Sequence, residues 1–179
     1  EEDTRTQGAE GTPPDFMGPT LWTSDPALFD GGDASHADML HNSPNGTGIA
    51  WESAQVYWVF DGAHRSITRY DFVEDHGLGG TEHSDGIIQR WVEGEVGYVP
   101  GTVSHLVLDD ATGLLYVADT GNHRIAALDT GSGARGDLYG PAYDTPDQFH
   151  WDDAVLTTWA TGELDAPAGI ELAEGLVRV

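Results

Sequence analysis

The chain has 179 residues, with 31 acids against seven arginines, and contains neither lysine nor cysteine. A formal charge of −24 repels phosphates, which disfavours nucleic acid and membrane insertion or anionic membrane surfaces. The lack of cysteine excludes disulfides, thiol catalysis and thiolate metal sites. Hydrophobic residues at 39% suffice for a folded core, and 24 glycines with nine prolines promise many turns. No apolar run approaches the roughly 20 residues that span a bilayer. The acidic start at Glu1 is that of a processed exported protein or of a fragment, and the lysine-free acid excess suits a highly hydrated surface; the expectation is an extracellular or periplasmic location, the alternative a merely acidic soluble protein.

In chain order, residues 1–19 are acidic and rich in Gly and Pro, and are expected to form a flexible arm. Residues 20–45 are expected to hold an outer strand through Leu21-Trp22-Thr23 and then a short helix over residues 33–40, opened by Asp33 or Ser35. From residue 46 to 179 short β-rich runs alternate with Gly/Asp turns and no long helical period appears, which predicts an all-β domain.

Those runs repeat. Gly48–Glu52, Val56–Asp61 and Ser66–Asp71 read as three strands, and the order returns in His105–Asp109, Leu115–Asp119 and Arg124–Asp129. The interval from Asp61 to Asp119 equals that from Ile67 to Ile125. A third copy opens at Pro167–Leu172 and continues into Gly175–Val179. Trp22, Trp91 and Trp159 recur at nearly equal intervals, each just ahead of a unit, and mark a fourth, outer strand whose Trp packs between units. Repeated units of four antiparallel strands form a β-propeller, here two whole blades and one partial, an incomplete ring in this chain.

Residues Leu114–Ile125 (LLYVADTGNHRI) resemble the repeat of NHL-type β-propellers: a strand ending in Tyr-Val-Ala-Asp, a Gly/Asn turn, then Arg-Ile and a closing Asp. The likeness is close over Leu106–Asp129, looser over Gly48–Asp71, and reaches the opening at Pro167–Val179. Asp119 is placed to accept hydrogen bonds from turn amides, and Gly121-Asn122 tolerates positive φ. Arg124 is expected to partner a carboxylate of its own or the next blade. Trp51, Trp58, Tyr57 and Tyr70 are expected to pack. The connections from Phe72 to Val103 and from Gly131 to Asp165 are longer than such a repeat needs. Because propellers close with about four to eight blades, either the chain is part of a longer one or a protein partner or further chain is expected to complete the ring.

Candidate chemistry centres on histidine. The segment Asp75–Gly86 places His76 and His83 among Asp75, Glu82 and Asp85 in a glycine-rich loop, a donor set suited to a divalent cation, whether calcium, zinc or copper, or alternatively a solvated turn. His105 takes the place that Gly48 and Gly169 hold at the start of the innermost strand, where it would line a propeller channel as base or ligand, or be satisfied by backbone carbonyls. In the amidating lyases of the NHL group, inner-strand histidines hold zinc, but there the histidine precedes the glycine. Ser43-Pro-Asn45-Gly46 ahead of the Gly48 and Tyr57 strands is similar to gluconolactonase-type propellers, a likeness that implies Asn45 as a metal ligand. Two functions follow as expectations: an exported protein-binding or structural module, with or without a stabilising metal, or a metal-dependent lactonase-like or lyase-like enzyme using His105.

Overall fold

The computed structural model describes residues 20–23, 25, 27, 36–75, 77–78, 84–139, 146–173 and 176–179. Among these residues there are fourteen strands, one short 3-10 turn at Thr120–Asn122, and no α-helix. The arm at residues 1–19, and Asp33 and Ser35, lie outside the described residues.

β1 (Thr20–Trp22) and β2 (His36–Met39) pair antiparallel as a small sheet. A strand thus replaces the short helix expected over residues 33–40, at least from His36 to Met39. The reason is tertiary. Pairing with β1 supplies backbone partners, and the chain then delivers Leu40, 5% exposed, into a cluster with Val59, Tyr70, Phe72 and Ile88. A helix has no local advantage large enough to compete with that burial.

β3 (Gly46–Ser53), β4 (Val56–Asp61), β5 (Ser66–Asp71) and β6 (Ile87–Trp91) form one antiparallel four-stranded unit. β7 (Leu106–Asp109), β8 (Leu114–Asp119), β9 (Arg124–Asp129) and β12 (Val155–Ala160) form the second. The turns are equivalent as well: Arg65 at φ 53° and His123 at φ 55° both adopt the left-handed conformation that closes the β4–β5 and β8–β9 links. Trp91 and Trp159 lie on the fourth strands, as their spacing predicts.

The long connection after Gly131 becomes a hairpin. β10 (Ala134–Leu138) and β11 (Asp147–Asp152) pair antiparallel, and β11 then joins the outer strand β6 of the preceding unit in parallel, with Trp151 opposite Trp91. The first sheet therefore has six strands, ordered β10-β11-β6-β5-β4-β3. β13 (Glu171–Ala173) and β14 (Leu176–Arg178) make a final two-stranded sheet where the third unit was expected to open.

Apolar faces bind these sheets in sequence order. One face of the six-stranded sheet packs with Leu40 and Leu21 of the first hairpin. Its other face buries Trp58, Phe60, Ile67 and Trp91 against Leu106, Leu115, Val117, Ala126 and Leu128 of the second unit. The far face of that unit buries Tyr116, Ile125 and Ala127 with Ile170 and Val177. Side chains alternate across each strand, so every central strand supplies both clusters, and each large side chain so buried contributes about 1.5–3 kcal/mol.

Candidate functional site

The inner edges of the two large sheets converge. Ser104 N donates to Thr47 O at 3.1 Å, and a Cβ on Gly48 would collide with the Ser104 carbonyl. Only glycine allows this approach. Gly48 pairs with Phe60 in the first unit, and His105 O accepts from Ala118 N at 2.9 Å in the second, so His105 does stand where Gly48 stands. Its backbone N donates to Ala168 O at 3.1 Å, and its Nδ1 lies 2.8 Å from Ile170 O. A carbonyl only accepts, so Nδ1 carries the proton in this contact. The ring thereby brackets the second unit to the segment that leads into β13. It also borders a cavity of about 310 Å3 with Trp22, Leu40, Thr47, Ile49 and Val103.

The other candidate ligands that are among the described residues do not join it. Asn45 adopts φ 62° and its carbonyl accepts from Gly62 N at 3.1 Å, as a turn residue would; its Oδ1 is buried without a hydrogen-bond partner. Asp75 is exposed and its Oδ1 accepts from Gly77 N at 2.9 Å, while Asp85 Oδ2 accepts from Glu74 N at 3.2 Å. His76 and His83 lie outside the described residues. Among the described residues no group of three or more His, Asp or Glu side chains converges on a cation position.

A carboxylate bracket joins the two units at the β8–β9 turn. Asp119 is fully buried; Oδ1 accepts from Gly97 N at 2.6 Å, and Oδ2 from Asn122 Nδ2 at 2.9 Å and Arg124 Nε at 2.7 Å. Arg124 reaches on to Glu95 O at 3.0 Å and Thr158 Oγ1 at 3.1 Å. The carboxylate thus binds an amide of the loop that follows the first unit as well as its own turn, and Arg124 partners it as the sequence predicts. Gly121 N also donates to Gly97 O at 2.9 Å, and a Cβ on Gly97 would lie 2.5 Å from the Gly121 carbonyl carbon.

The first unit has a counterpart at Asp61, which the repeat interval aligns with Asp119; the sequence did not disclose its distant partners. Buried Asp61 accepts from the His64 amide at 3.1 Å and Ser43 Oγ at 3.2 Å, and lies 2.7 Å from His64 Nδ1. His64 stands where Asn122 stands, each three residues after its aspartate. Tyr70 OH lies 2.6 Å from His41 O and 2.5 Å from Ser43 Oγ; burial pushes its phenol well above the usual tyrosine range. Arg90 Nη2 donates to Asn42 O at 3.2 Å, and its guanidinium sits 4.0 Å over the Tyr139 ring. Asp-Gly-Ala-His is the only local signal for this network; Ser43, Tyr70 and Arg90 come together through the sheet. Elsewhere, Arg69 clamps Glu52 with bonds of 2.8 and 2.7 Å and thereby holds its carboxyl below the usual carboxylate range. Trp58 and Tyr70 are buried as expected, but Trp51 is 60% exposed and does not pack.

Residues 105–128 match the family model described as NHL repeat. No curated protein and no solved structure matches the chain. The match begins at His105 and contains the whole Asp119–Asn122–Arg124 bracket, so the motif and the geometry coincide. The chain carries an NHL repeat.

Proposed function

We propose that this chain is a sector of an NHL-type β-propeller that serves as a protein-binding or structural module of an exported protein, extracellular or periplasmic, with further blades from another polypeptide completing the ring. The observation that carries this reading is the convergence of the inner edges: β3 meets the residues leading into β7 at Gly48 and Ser104, and His105 ties that line through Ile170 to the segment leading into β13. Successive sectors of a torus bring their first strands together in this way. The His105 side chain on that line bonds to a backbone carbonyl, and Ser104 Oγ lies 2.9 Å from Thr120 Oγ1, contacts that suit a scaffold. Sedimentation equilibrium with electron microscopy tests the proposal: assemblies holding more blades than one chain supplies are expected, and a stably folded monomer that binds no partner overturns it.

His105 beside the 310 Å3 cavity favours one second reading, a metal-dependent propeller enzyme with the remaining ligands on other blades. Zinc- or calcium-dependent lactone hydrolysis that disappears in H105A would carry it. An H105A protein that changes only in unfolding midpoint supports the scaffold.

A further inference from the structure

The outer strands of the two units are treated differently. β6 is covered along its outer edge by β11, and Trp151 stacks on Trp91 with ring centroids 4.9 Å apart and planes at 16°, leaving Trp91 2% exposed. β12 is the corresponding strand of the second unit and, among the described residues, the last in its sheet. Ala160 pairs with Ile125 as Trp91 pairs with Ile67, and Trp159 sits at the bulge beside it. Trp159 meets Tyr116 edge-on at 5.5 Å and remains 47% exposed; Val155, at the start of the strand, is 49% exposed.

An unpaired edge is normally guarded by charge, as Arg135 and Asp137 guard β10. β12 reads Val-Leu-Thr-Thr-Trp-Ala and has no such guard. Exposed acids flank it instead, Asp152 and Asp153 before and Glu163 and Asp165 after. A second copy of a chain with charge −24 would be repelled there, whereas a basic segment would be drawn in.

We propose that the outer edge of β12 is a strand-docking site. It pairs in parallel, as β11 does with β6, with an extended segment of a partner protein that lays an aromatic ring on Trp159 and carries basic residues at both ends. The inference rests on the protein-binding reading above and is tested apart from ring completion.

The probe is a synthetic peptide holding Gln-Phe-His-Trp, the β11 segment, between lysines. Hydrogen exchange of amides 155–160 is expected to slow roughly tenfold at saturating peptide, with β14 unchanged. W159A and V155K are expected to weaken the peptide roughly threefold to tenfold; V155K, on the exposed edge, keeps the unfolding midpoint, whereas W159A also lowers it slightly because the Tyr116 contact is lost. Unchanged exchange in β12 overturns the proposal. So does equal slowing by a peptide whose aromatics are replaced by alanine, which reports charge attraction alone. Slowing that depends on protein concentration without peptide assigns the edge to a second copy and also overturns it. Ring assembly with an unprotected β12 removes this site and leaves the propeller reading intact.

Discussion

Asp119 shows how one residue holds two units. Its carboxylate is out of water, and three donors from two sheets' connections satisfy it. Replacing it with alanine strands the Gly97 amide and the Arg124 guanidinium, and D119A is expected to lose about 3–5 kcal/mol of stability, read as a fall in urea midpoint. D119N retains acceptors for part of the set and should lose less. Glu52 behaves differently because solvent reaches it. The Arg69 hydrogen bonds lower its folded carboxyl relative to the unfolded chain, so the pair stabilises at neutral pH and that contribution drains away as acid takes the pH down through the folded value. E52Q is expected to cost about 1 kcal/mol or less at pH 7 and progressively less as the pH falls below the usual glutamate value, read by unfolding across that range.

At the scale of the element, the β8–β9 turn and the loop after β6 meet backbone to backbone. A Cβ on Gly121 would stand 2.7 Å from the Gly97 oxygen, and the Gly121 amide is bonded to that same oxygen. Neither side of the contact is a flexible side chain that could give way. G121A is therefore expected to destabilise by about 1–3 kcal/mol and to loosen exchange protection in both units. The strands themselves were legible from alternation: β4, β5, β8 and β9 fall where their apolar and β-branched runs fall. β2 was not legible, because His36–Met39 has no strong strand pattern and acquires its conformation from β1 and the cluster around Leu40. Nor was the β10–β11 hairpin, since nothing in Asp147–Asp152 announces that its partner is β6, which lies a whole unit earlier in the chain.

For the molecule as a whole, charge opposes the fold more than its ion pairs can offset. Arg69, Arg90, Arg124 and Arg178 are each committed to a carboxylate, and seven arginines cannot neutralise 31 acids. The mutual repulsion of those acids opposes compaction, so stability is expected to rise with salt: the thermal midpoint should climb between about 0.02 and 0.5 M sodium chloride, where the Debye length shrinks to a few ångströms. A midpoint that falls with salt would mean the few ion pairs outweigh the acid excess.

By itself the sequence determined the all-β class, the repeat, its register and the tryptophan-bearing fourth strands, because side-chain alternation and turn chemistry are local. The equivalence of His105 with Gly48 followed from the same register. Tertiary structure alone decided that Asp61 gathers Ser43, that His105 bonds Ile170, and that β11 covers β6 while, among the described residues, no strand pairs with the outer edge of β12. Each of these depends on which surfaces meet after the sheets stack, and such contacts between distant segments leave no periodic trace in the chain.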